Sequence, residues 1–88
     1  MNTEEQNAAV KRFNEERNKM LMSLDIDRCA YFFRLARPGV PCPSREVLEI
    51  MMHKARTAVV SLPLEARMHS KRWLTERGMQ SDDDGDLG

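Results

Sequence analysis

Ser44 to Gly78 carries the clearest start and stop signals in the chain and reads as two helices hinged at Leu62-Pro63. Ser44 offers a side-chain oxygen to the free N–H groups of a first turn, and Glu46 puts negative charge at the positive end of the helix dipole. Val47, Leu48, Ile50, Met51, Met52, Ala55, Ala58, Val59 and Leu62 then form an apolar band wide enough for two neighbours. Pro63 cannot continue that helix, yet a proline suits the first turn of a new one. The second helix should run from Pro63 to about Arg77, with Gly78 as the residue that turns out of it. Its apolar content is thin (Leu64, Ala66, Met68, Trp73, Leu74), and Trp73 is its largest anchor.

Upstream, Thr3-Glu4-Glu5-Gln6 fits a capping box, so a first helix is expected from about Glu4 to Met22. Its apolar stripe is Ala9, Val10, Phe13, Met20, Leu21 and Leu24, interrupted by Arg17. The first half is therefore weakly anchored and should either fray or pack on a second chain. Ser23-Leu24-Asp25-Ile26-Asp27 offers several caps, and a second helix should follow from about Ile26 to Ala36. Ile26, Cys29, Ala30, Phe33 and Leu35 are available to the core, and Tyr31 and Phe32 make that helix apolar most of the way round, which points to the centre of the bundle. Pro38, Pro41 and Pro43 then impose a stiff loop over 37–43. No alternating pattern of a half-buried strand is present. The fold class is all-α: a small bundle of about four helices with a C-terminal hairpin, forming a single domain over 1–78.

The 88 residues carry 14 basic and 14 acidic side chains, but the zero sum hides a separation. Residues 28–78 have a net of +6, whereas 82–86 contribute four aspartates and no base. The tail, 79–88, can bury nothing and is expected to be disordered. A chain this short buries barely enough apolar surface to fold alone, which favours partner-assisted stability or a homodimer. No run approaches a membrane span, and no apolar leader opens the sequence, so a cytoplasmic protein with two reduced thiols is expected.

Cys29, Cys42, His53 and His69 form a Cys2His2 inventory, but 12, 10 and 15 residues separate them. Zinc ligands are ordinarily paired close in sequence, so no metal is expected. Cys42 and His53 could approach if the loop folded back on the third helix, but so small a bundle offers little pocket to exclude water, and the aspartate run lacks the spacing of a calcium loop. Neither a cofactor motif nor an enzyme is indicated. Two surfaces remain. Lys54, Arg56, Arg67, His69, Lys71 and Arg72 would make one positive patch if the last two helices fold back on each other, suited to phosphates or an acidic protein. The exposed side of helix 1, with Val10, Phe13, Arg17 and Met20, would suit a groove or a copy of itself.

At His53-Lys54-Ala55-Arg56-Thr57-Ala58, Leu62-Pro63, Ser70-Lys71-Arg72-Trp73-Leu74 and Gly78 the sequence resembles small helical accessory proteins of tailed phages and prophages. The likeness covers about the C-terminal half and transfers no functional residues. It implies a stoichiometric binder in the host cell cytosol that inhibits or redirects a host or anti-phage defence protein. The rival expectation is direct binding of nucleic acid or a phosphorylated small ligand by the basic cluster.

Overall fold

The computed structural model describes residues 3–79, which form four helices and no strand among the described residues. These are α1 (Thr3–Ser23), α2 (Ile26–Ala36), α3 (Arg45–Ala58) and α4 (Leu64–Glu76). The acidic run 82–86 and the expectation of a disordered tail lie outside the described residues, apart from Met79.

α1 and α2 are separated by two residues, and each residue has a distinct task. Leu24 adopts a left-handed conformation, φ 51°. The Asp25 N–H then reaches back to the Met20 carbonyl at 3.2 Å, which closes α1. The Asp25 side chain accepts from the Arg28 N–H at 3.1 Å and opens α2. Ser44 opens α3 in the same way, accepting from the Val47 N–H at 3.3 Å.

α3 is shorter than the sequence suggests, ending at Ala58 rather than near Leu62. The cause is Pro63, whose ring would collide with the Val59 carbonyl four residues earlier and has no N–H to offer it. The β-branched pair Val59-Val60 gives little helix propensity to resist the break. Leu62 is buried at the corner and pins it, while the Pro63 carbonyl accepts from the Ala66 and Arg67 N–H groups to start α4. α4 ends on Gly78, φ 73°, with the Met79 N–H bonded to the Leu74 carbonyl at 2.8 Å.

One apolar cluster joins the first three helices: Met20 and Leu21 of α1, Cys29 and Ala30 of α2, and Leu48 and Met52 of α3, with Leu62 from the corner. α4 lies along α3 with Ala66, Ser70 and Leu74 buried, one residue per turn. The small side chains at 66 and 70 let the two backbones approach. The first half of α1 is exposed throughout, held by an edge-to-face contact of Phe13 with Phe32 at 5.9 Å. Further along, Asn18 Nδ2 donates to Ser61 Oγ at 3.1 Å and ties α1 to the α3–α4 corner. α2 is not central. Tyr31 and Leu35 are 49% and 61% exposed, because α2 packs through Cys29 and Ala30, with Ile26 and Phe32 against the same cluster, and turns Tyr31 and Leu35 outward.

Candidate functional site

Two places in the fold concentrate chemistry, and they lie on different pairs of elements. The first is the polar seam between α3 and α4. His53 and Arg56, three residues apart on α3, meet Ser70 of α4, and all three are buried. Arg56 has only donors, so its Nη1 donates to Ser70 Oγ at 3.3 Å and to His69 Nδ1 at 3.3 Å. Ser70 Oγ also lies 2.9 Å from His53 Nδ1. Among the described residues the serine proton has no other acceptor, and a buried hydroxyl left unbonded is costly, so it goes to His53 Nδ1. The His53 ring is therefore neutral, with its own proton on Nε2. Trp73 stacks on that ring at 4.0 Å and 12°, and the Arg77 guanidinium sits 3.8 Å from the indole centroid.

The electrostatics of this seam are one-sided. Burial first, then the positive charge of Arg56, then His69 and Arg77, push the His53 pKa down to about 4. Burial also lowers the Arg56 pKa. Among the described residues no carboxylate reaches ion-pair distance of Arg56, and its Nε has no hydrogen-bond partner. Ser70 and His53 have the elements of a nucleophile and a base, yet Ser70 is 0% exposed and no acid orients the ring. The seam is an internal fastening for the hairpin.

The second place is open. Phe13 of α1, Cys29, Phe32, Phe33, Leu35 and Ala36 of α2, Arg37 just after it, and Met51 of α3 line a groove of ≈ 700 Å³. This volume is of the order found in ligand sites, and the walls are nearly all apolar. The Arg37 guanidinium lies 5.9 Å from the Phe33 ring and supplies the charged edge. The Cys29 thiol in the wall is pushed up in pKa by burial and then by Cys42, so it is a poor nucleophile. Val10 continues the exposed apolar surface along α1, and Val47 does so along α3.

The residues proposed from the sequence separate in space. Arg56 is drawn into the seam rather than displayed, and exposed His69 accepts its hydrogen bond. Arg67 is part-buried, its Nε bonded to the Leu62 carbonyl at 3.3 Å, where it braces the corner. Lys71 lies one turn along on the same flank, whereas His69 lies on the other side of the buried stripe. Arg72 is exposed and Lys54 is half-buried. The hairpin brings Arg56 and His69 together but distributes the other four cations. On α1, Val10 and Phe13 are exposed, Met20 is in the core, and Arg17 is part-buried and bonded to Asn18 Oδ1 at 3.2 Å. Among the described residues no three His, Cys, Asp or Glu side chains gather where an ion could sit.

Sequence reasoning placed Phe33, Leu35 and Met51 among the core side chains rather than in a groove wall, and did not single out Ser70. The signal for Ser70 was the four-residue spacing of Ala66, Ser70 and Leu74, a stripe of small and apolar side chains. Among the described residues no helix is long and apolar enough to cross a membrane. Comparison with protein-family models, with curated proteins and with solved structures finds no match for this chain.

Proposed function

We propose that this chain is a non-enzymatic accessory protein of the phage type, acting by stoichiometric binding to a host or anti-phage defence protein that it inhibits or redirects. The observation that carries the binding reading is the apolar groove between α1, α2 and α3, with Leu35 61% exposed at its wall. A concave apolar surface with a charged edge is the kind of place where proteins bind ligands or partners. Grooves of this kind take one face of an amphipathic helix or an extended apolar segment. The phage context and the inhibitory outcome come from the likeness of the C-terminal half. A cytosolic setting goes with them.

The test is capture from host lysate by the full chain, compared with Leu35→Asp and with Lys71→Glu/Arg72→Glu. Loss of a specific partner with the first variant and retention with the second is the expected pattern. Equal capture by all three would remove the groove from consideration.

The rival reading, nucleic acid or a phosphorylated ligand on α4, is favoured by exposed Arg72 and part-exposed Arg67 and Lys71. Burial of Arg56 weighs against it by taking one cation from the accessible surface. Phosphate binding strengthens as salt falls, so absence of affinity for generic DNA or RNA at low salt ends that reading.

A further inference from the structure

The loop between α2 and α3 is stiffened by its own chemistry. Pro38, Pro41 and Pro43 fix φ at three positions, and the Val40 N–H bonds back to the Arg37 carbonyl at 3.2 Å. Cys42 stands between two of those prolines, so its backbone is held from both sides. Its side chain is half-buried and packs on the apolar cluster of α1, α2 and α3, the same cluster in which Cys29 is buried. Both thiols are free. Burial raises the Cys29 pKa, and Cys42 raises it further. The action of one charge on another fades with distance, so this second effect marks Cys42 as a near neighbour of the Cys29 thiol.

We propose that Cys29 and Cys42 are a reversible redox staple, closed by oxidation, that joins the middle of α2 to the loop ahead of α3. The staple is independent of any partner on the groove. In a reducing cytosol both thiols stay reduced, and a small-molecule disulfide is the oxidant that closes the bond. Cys42 is the more accessible of the two and is reached first. Its thiolate attacks one sulfur of the small disulfide, forms a mixed disulfide and releases one small thiol. Cys29 Sγ, as thiolate, then attacks Cys42 Sγ and expels the second small thiol. The two protein thiols are oxidised, the small disulfide is reduced, and the two protons end on the released thiols. The raised Cys29 pKa keeps the second step slow near neutral pH and speeds it as pH rises. The prolines already hold the loop, so closure asks for little further ordering in the fold while it restricts the unfolded chain. It also fixes one wall residue of the groove, since Cys29 lines it.

Intact mass and thiol titration of the full native chain, incubated with oxidised glutathione at about pH 8.5, test this. The expected product is a monomer lighter by a pair of hydrogens, with no titratable thiol and a peptide pair joining Cys29 to Cys42. Its thermal midpoint should lie about 10 °C above that of the reduced chain, and dithiothreitol should reverse the change. Cys29→Ala should stop at a glutathione adduct on Cys42, and Cys42→Ser should leave Cys29 as a free thiol. A wild type that stops at the adduct on Cys42, or that pairs only between copies, overturns the staple. So does a bond that forms only in denaturant, or one that leaves the midpoint no higher than that of the reduced chain.

Discussion

Acid should unfasten the α3–α4 hairpin through His53, and the size of the effect follows from its surroundings. In the unfolded chain this imidazole takes a proton near the ordinary 6.5, whereas in the fold burial and the neighbouring cations hold it to about 4. Between those values the unfolded chain binds more protons than the folded one, so stability rises with pH across this window. The contribution is fully present above about 6.5 and is lost as pH falls toward about 4. A difference of this size corresponds to about 3 kcal/mol, a large share of the stability of a small domain. The structural event is explicit. A proton on His53 Nδ1 removes the acceptor of the Ser70 hydroxyl and adds positive charge beside Arg56.

Guanidinium unfolding of the wild type and of His53→Gln, from about pH 7.5 to about pH 5, isolates this group from the carboxylates common to both. The variant starts less stable, having lost the stack on Trp73, but should show a shallower fall with acid. Proton NMR should find the His53 ring still neutral at about pH 5. Parallel stability curves for the two proteins, or a His53 titration near the ordinary value, would refute the reasoning.

Two further substitutions test the fold. Gly78→Ala should destabilise by about 1 kcal/mol, because the left-handed backbone penalises any Cβ. Nothing lies within 4 Å of that added carbon, so a loss well above this, read by chemical denaturation, would mean a contact other than the backbone conformation. Arg56→Met should be close to neutral or stabilising, within about 1 kcal/mol of the wild type. It removes a buried charge with no counter-ion and keeps the stem that fills the seam. It should also raise the His53 pKa, since Arg56 is the largest charge acting on that ring. A loss of more than about 2 kcal/mol would show that its hydrogen bonds to Ser70 and His69 outweigh the desolvation.

The elements were legible where covalent geometry dictates them. Ser44, Pro63 and Gly78 are read from local chemistry, because a cap, a missing N–H and a left-handed turn act within a few residues. The depth of Arg56 and the exposure of Leu35 were not legible, because each depends on which face of a helix meets which neighbour. On sequence pattern Arg56 belonged to an accessible positive patch. It is buried because Ala66 and Ser70 bring α4 close enough to cover it and because Ser70 and His69 accept its protons. Leu35 was assigned to the core because α2 is apolar on most sides, but among the described residues only three other helices are there to cover it, and α4 is engaged with α3. The same arithmetic leaves the first half of α1 uncovered.

That arrangement divides the work of the fold. The hairpin of α3 and α4 is fastened from within by the His53–Ser70–Arg56 seam and by Leu74, none of which faces the groove. The groove is walled chiefly by α2 with the edge of α1, and its side chains Leu35 and Phe13 are more exposed than not. A substitution in the groove should therefore alter association at little expense in stability, and one in the seam should do the reverse. The two classes are separable in a single experiment that reads unfolding midpoint and partner capture on the same samples. If Leu35→Asp lowered the midpoint as much as His53→Gln does, the groove wall would have to be part of the core, and an exposed docking surface there would lose its physical basis.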